Sequence, residues 1–230
     1  MKSAFSVKFR LLASALALLG LSACASKSLL SEVVSAVVAD NLPFQTDGPL
    51  AAQLNPNYRY LHVTLGSAKP ALLVLGYVDA HPQGDIEVWY SAQGEVLRLQ
   101  NGRLVGAAGL PVEWRRVAYP QTPPDWQSVL PEGARFSTVR DEQPGYRLGL
   151  VEQVVLTPLP GTPLVLPNQT YATAAWFQES YTGANGQIRP AAWFAFGNYG
   201  GQKTIVYSRQ CLSASLCLNL QRWPLQKDPL

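Results

Sequence analysis

The chain is short of the residues on which metal, redox and nucleotide chemistry depend. Its 230 residues include two histidines, three cysteines and one methionine. No helix carries a histidine pair and no glycine-rich phosphate loop follows a strand pattern, so zinc and nucleotide chemistry have no support. No metal and no cofactor are expected. Charge is also scarce, at 14% of residues against 47% hydrophobic, which excludes a chain kept unfolded by charge repulsion. Nor is there the series of roughly 20-residue apolar runs that a polytopic membrane protein requires. Acidic residues are missing altogether from residues 1–23, where Lys2, Lys8 and Arg10 lie. The remainder carries 15 basic and 15 acidic residues, so its net charge is zero. The basic pI near 8.8 therefore belongs to the leader, and nucleic acid is not an expected partner.

That leader is the strongest signal present. A short basic region precedes the small and apolar stretch from Leu11 to Gly20, and Leu21-Ser22-Ala23-Cys24 follows. The apolar stretch is short for a bilayer span and fits a signal peptide over residues 1–23. Small residues before Cys24 suit a peptidase gripping extended backbone, and the Cys24 thiol can carry a diacylglycerol thioether. The segment resembles a bacterial lipobox, which implies that Cys24 becomes the first mature residue, palmitoylated and anchored in lipid. Ala25 in place of aspartate implies sorting to the outer membrane, with the domain facing the periplasm. Several acyl chains make such an anchor durable, at about 0.8 kcal/mol per buried methylene.

With Cys24 committed to lipid, Cys211 and Cys217 remain. In an oxidising compartment they suggest a disulfide, which requires a chain reversal at 213–215. Two buried free thiols on one face of a continuous strand are the alternative.

Residues 24–57 are expected to hold the anchor, a short helix and a connection. Leu29, Leu30, Val33, Val34, Val37 and Val38 recur at helical spacing between Ser28 and Asp40, although their valines also suit a strand. From residue 58 to 230 the period is mostly two, which predicts a single β domain. Leu61, Val63 and Leu65 alternate with polar neighbours, as do Ile86, Val88 and Tyr90. Asn101-Gly102 is a strong hairpin signal because both residues tolerate positive φ. Residues 111–134 hold five prolines with Trp114 and Trp126, a composition that argues against a central strand and for a segment packed onto the sheet. The expected fold is all-β: a large antiparallel meander forming a sandwich or a curled, partly open barrel.

Candidate chemistry is sparse. Asp85 and Glu87 are two residues apart on one strand, with no second strand to complete a carboxylate pair for glycoside hydrolysis. His62 has no triad partner nearby. The better leads are aromatic residues near strand ends, since aromatic rings suit both β cores and the apolar faces of sugars. Trp114, Arg115, Arg116 and Trp126 are therefore the candidates for glycan or partner contact, with core packing the competing reading for the tryptophans.

Three stretches carry a family resemblance. The first runs from Trp89-Tyr90-Ser91 through the turn at Gly94, Asn101-Gly102-Arg103 and on to Gly109-Leu110-Pro111. The second is Ser208-Arg209-Gln210, and the third is the ending with Leu218, Leu220 and Lys227. With the lipobox, the chain resembles the YjbF/GfcB-type lipoproteins associated with group 4 capsule and exopolysaccharide genes, over roughly residues 58–228. The resemblance implies a large antiparallel β structure and a non-enzymatic factor that assists polysaccharide export or assembly. It implies as partners the outer-membrane lipid, export or assembly proteins and the glycan itself, and it supplies no catalytic residue. A polysaccharide-modifying enzyme and a structural envelope lipoprotein are the alternative functions.

Overall fold

The computed structural model describes residues 54–65, 70–163, 171 and 173–225. Twelve strands follow one another: β1 Tyr60–Leu65, β2 Ala71–Asp79, β3 Ile86–Tyr90, β4 Val96–Gln100, β5 Arg103–Ala108 and β6 Glu113–Ala118, then β7 Ala134–Gln143, β8 Arg147–Leu159, β9 Ala175–Gly183, β10 Ile188–Tyr199, β11 Gln202–Cys211 and β12 Cys217–Trp223. Every neighbouring pair is antiparallel, and each strand pairs with the next in sequence. The last strand returns to the first, with Tyr60 opposite Trp223 and Leu65 opposite Leu218. The all-β meander expected from the sequence is thus present, and its ring is closed. Closure leaves no strand edge open to pair with another chain. The expected N-terminal helix, Cys24 and Lys227 lie outside the described residues.

Alternation explains which face each strand turns inward. Leu61 and Val63 of β1, Leu97 and Leu99 of β4, and Leu218 and Leu220 of β12 enter one buried cluster with Trp89 and Trp114. Phe136 of β7, Val154 and Leu156 of β8, Phe177 and Tyr181 of β9, and Phe194 of β10 enter a second. The two clusters divide the interior between them. β5 contributes Leu104 to the first and Val105 to the second. Outside the ring, Tyr60, Leu72 and Trp223 form a further buried group, and the His62 ring lies 5.5 Å from that of Trp223.

One expectation needs correction. Although residues 111–134 are rich in proline, β6 is an integral strand with neighbours on both sides. No proline lies between Pro111 and Pro120, so six consecutive residues retain their backbone donors. The contact with β5 is confined to Ala107 opposite Trp114, whereas five pairs join β6 to β7. Beyond β6, Asp125 caps a short 3-10 turn at Trp126–Ser128 by accepting from the Gln127 N–H at 2.8 Å. That turn inserts Trp126 into the second cluster, with ring centroids 4.9 Å from Phe194 and 5.3 Å from Phe177.

Candidate functional site

Charged residues interrupt the apolar inner rows at one level of the ring. The inward row of β7 reads Phe136, Thr138, Arg140, Glu142, and that of β8 reads Glu152, Val154, Leu156. β9 adds Glu179 between Phe177 and Tyr181. Arg103 enters from the start of β5 and Arg189 from the start of β10. Period-two alternation thus delivers a buried ionic network to the second half of the interior.

Its members are paired closely. Arg103 Nε donates to Glu179 Oε1 at 2.7 Å, and the Tyr181 hydroxyl donates to Glu179 Oε2 at 2.7 Å. Arg140 bonds Glu142 and also reaches Glu152 at 3.1 Å. Arg189 donates to both oxygens of Glu152, each at 3.2 Å. Arg147, whose side chain is half exposed, bonds Glu142 and connects the network with solvent. Aromatic faces cover the guanidinium groups: Arg103 lies 3.8 Å from the Trp126 centroid, Arg189 3.5 Å from Tyr181, and Arg140 4.7 Å from Trp114. Burial pushes the hydroxyls of Tyr119 and Tyr181 well above the usual tyrosine range, so both stay protonated at neutral pH. A cavity of about 20 Å³ lies among Arg103, Thr138, Arg140, Glu152, Glu179 and Arg189.

Two stretches far apart in sequence meet beside this network. Gln210 Nε2 donates to the Gly102 carbonyl at 2.9 Å and to Ser208 Oγ at 2.9 Å, while its Oε1 accepts from the Leu104 N–H at 2.8 Å. β5 and β11 are not neighbours in the ring, so the contact spans the interior. Gly102 has φ +79°, and a Cβ there would lie 2.5 Å from Ile205, so the close approach requires glycine. The Asn101 carbonyl accepts from Trp126 Nε1 at 2.8 Å, completing the attachment of the hairpin tip.

The remaining residues singled out by sequence have structural places. Trp89 is fully buried in the first cluster. Ser91 organises the β3–β4 turn: its Oγ bonds Glu95 and accepts from the Gln93 and Glu95 N–H groups, while Gly94 takes φ +96°. The Gly109 N–H donates to Glu113 at 2.7 Å, and Leu110 packs against the first cluster. Arg209 points away from the interior network and stacks 4.9 Å from Trp193. Cys211 and Cys217 are opposite each other across β11 and β12 and are joined by a disulfide. The chain reverses between them, with the Leu212 N–H donating to the Leu216 carbonyl at 2.8 Å. The Cys211 carbonyl accepts from Arg189 at 3.0 Å and that of Leu212 from Trp114 Nε1 at 3.2 Å. The bridge therefore supports the ionic network.

The surface-contact assignment of two tryptophans is corrected. Trp114 and Trp126 are only 4% and 6% exposed, because their rings cover buried arginines, and neither offers a platform to a glycan outside the ring. Arg115 and Arg116 are exposed and pair with Glu113 at 3.4 Å and Asp141 at 3.3 Å. Glu87 binds Arg222 through both oxygens at 2.7 and 3.0 Å and does not stand free beside Asp85. Sequence reasoning missed Thr138, Arg140, Glu142, Glu152, Glu179 and Arg189. The signal for the first five was their phase, which they share with residues of the apolar core on the same strands, whereas Arg189 is out of phase with Ala192 and Phe194 and is turned inward by a register shift in β10.

Similarity to known proteins agrees with this architecture. The model of the family described as "Group 4 capsule polysaccharide lipoprotein gfcB, YjbF" matches residues 50–221. The crystal structure of the hypothetical lipoprotein YmcC from Escherichia coli K12 superposes with a TM-score of 0.58 at 18% identity, covering 76% of this chain and 86% of that one. At that identity the likeness speaks for the fold. No curated protein matches the chain.

Proposed function

Because the chain belongs to the YjbF family of group 4 capsule polysaccharide lipoproteins, we propose that it is a non-enzymatic outer-membrane lipoprotein assisting export or assembly of a capsule or exopolysaccharide. The observation that carries this reading is the family match over residues 50–221. The lipobox at Cys24 supports acylation, and Ala25 supports the outer membrane with the β domain on the periplasmic side.

Two geometric features favour a binding role over catalysis. The buried carboxylates of Glu142, Glu152 and Glu179 are each held by arginine, which does not resemble a free acid and base flanking a substrate. The cavity beside them, about 20 Å³, is also far smaller than the roughly 300–1,000 Å³ of small-molecule sites.

Partner contact has a suitable surface. Tyr146, Leu148 and Ile188 are 79%, 70% and 81% exposed, and they belong to the ends of the β7–β8 and β9–β10 hairpins. The Ala184 N–H donates to the Val151 carbonyl at 3.2 Å, which sets those hairpins side by side. In an antiparallel ring these hairpins lie at the end opposite the start of β1. Exposed apolar groups at that end suit a protein partner in the periplasm.

Gene deletion with measurement of surface and secreted polysaccharide tests the proposal. The expected result is reduced amount or altered chain length, restored by the wild-type gene. Restoration should fail with C24S, which also remains unprocessed, and weaken with the folded double variant L148D/I188D. Unchanged polysaccharide in the deletion strain would sink the reading.

A further inference from the structure

The outer face of β2, β3 and β4 carries a mixed aromatic and charged patch. Tyr77, Val88 and Arg98 stand abreast on these three strands. Trp89 of β3 and Leu97 of β4 enter the inner cluster, so alternation turns Val88 and Arg98, and Tyr77 with them, outward. Tyr90 and Asp79 each lie two residues further along their strands and share that face.

Two glycines shape the patch. A Cβ on Gly76 would lie 2.5 Å from Tyr90 Cε2, and one on Gly106 would lie 3.1 Å from Arg98 Cδ. The Tyr90 ring and the Arg98 stem therefore lie low over bare backbone. Tyr77 follows the register shift at Gly76 and is 50% exposed, with its ring centroid 6.3 Å from that of Tyr90 and the two planes 40° apart. The outcome is a low floor of Tyr90 and Arg98 beside one exposed aromatic ring.

Polar groups converge on that floor and are incompletely used. Arg98 Nη2 donates to Asp79 Oδ2 at 3.1 Å, and both side chains are partly exposed. Among the described residues, Asp79 Oδ1 and Arg98 Nη1 make no bond. Burial, then the Tyr77 hydroxyl and the Asp79 carboxylate, hold the Tyr90 hydroxyl above the usual tyrosine range, which sets these polar tips side by side. An acceptor, a donor and a hydroxyl thus lie next to an exposed ring. A pyranose has the matching chemistry, with a C–H face for the ring and hydroxyls that both donate and accept. Other ligands match less well. Asp79 repels an anionic lipid surface, and a peptide added as a strand needs an open edge, which the closed ring lacks.

We propose that Tyr77, Asp79, Tyr90 and Arg98 form a glycan-binding site on the outside of the ring. The Tyr77 ring stacks on one pyranose unit, and Asp79 and Arg98 bond the hydroxyls at its rim. The assignment rests on the polysaccharide reading for the identity of the glycan, and it is separate from the apolar hairpin ends proposed for a protein partner.

Affinity electrophoresis of the full-length lipoprotein in non-ionic detergent tests the site, in gels with and without the producing cells' own purified extracellular polysaccharide. The polysaccharide should retard the wild type. Tyr77→Ala and Asp79→Asn should each raise the apparent Kd about 10-fold, whereas Tyr77→Trp and L148D/I188D should leave it unchanged. Tyr77 is half exposed, so its variants should melt at the wild-type temperature, which separates lost binding from lost folding. Equal retardation of wild type and Tyr77→Ala, or no retardation of either, would overturn the site. If deletion of the gene still reduces polysaccharide in that case, the export reading stands without it. Retardation that depends on Tyr77, in a strain whose polysaccharide is unchanged by the deletion, would uphold the site and sink the export reading instead.

Discussion

The side chain of Gln210 donates to the carbonyl of Gly102 at 2.9 Å, across the interior of a ring in which their strands are not neighbours. The same amide accepts from the Leu104 N–H at 2.8 Å. One glutamine therefore bonds two backbone groups of the β4–β5 hairpin and holds it against β11.

Replacing Gln210 with leucine should destabilise the protein by about 2–4 kcal/mol, because a buried acceptor and a buried donor lose their partner. Glutamate at this position should rescue little, since it can accept from Leu104 but cannot donate to Gly102 when ionised. Urea unfolding of the two variants checks this. Wild-type stability in Gln210→Leu would show that the bridge contributes nothing.

Arg103 and Glu179 should behave as a unit. Removing either partner leaves a buried charge exposed to an apolar wall, at a cost of about 3–5 kcal/mol. The double variant R103M/E179L should recover most of that loss, because both charges leave together. A double-mutant cycle by chemical denaturation measures the coupling, and strict additivity would contradict the pairing.

His62 should make stability fall with acid. Burial lowers its pKa from 6.5 to about 4, so the unfolded chain binds a proton in a window where the folded chain does not. Its contribution is complete above pH 6.5 and declines as pH falls towards about 4, by up to about 3 kcal/mol. Unfolding free energies across this range should show the decline, and His62→Gln should flatten it. Unchanged pH dependence in the variant would exclude His62 as the cause.

Loss of the Cys211–Cys217 bridge should lower stability by about 2 kcal/mol, as expected for so short a loop, without abolishing the fold. The closed ring retains the pairing of β11 with β12, so reduction should loosen the hairpin turn and the carbonyls that bind Trp114 and Arg189. Non-reducing mass spectrometry of the exported protein should find one bridge, and hydrogen exchange after reduction should be faster at 211–217. Two free thiols in the exported protein would count against it.

Much of the strand pattern was legible because short-range rules govern it. The alternation at 61–65 and 86–90 and the turn at Asn101-Gly102 were visible since side-chain parity and positive φ are properties of a few consecutive residues. The strand at Glu113–Ala118 was hidden by the prolines that flank it, although none lies within it. Trp114 and Trp126 looked like surface aromatics because both lie among prolines, and nothing local indicates that buried arginines will lie beneath their rings.

The sequence by itself determined an antiparallel β domain, its major turns and the candidate lipid anchor, because alternation, turn chemistry and the lipobox are each written in adjacent residues. Only the tertiary structure decided that the meander closes, since this depends on β1 meeting β12; there Asn219 Nδ2 donates to Thr64 Oγ1 at 2.8 Å across 155 positions. Tertiary structure likewise decided that Arg140, Glu152, Glu179 and Arg189 are interior. A period of two separates the faces of a strand but does not say which face a closed ring will enclose, and charges on the enclosed face become favourable only when partners from other strands arrive.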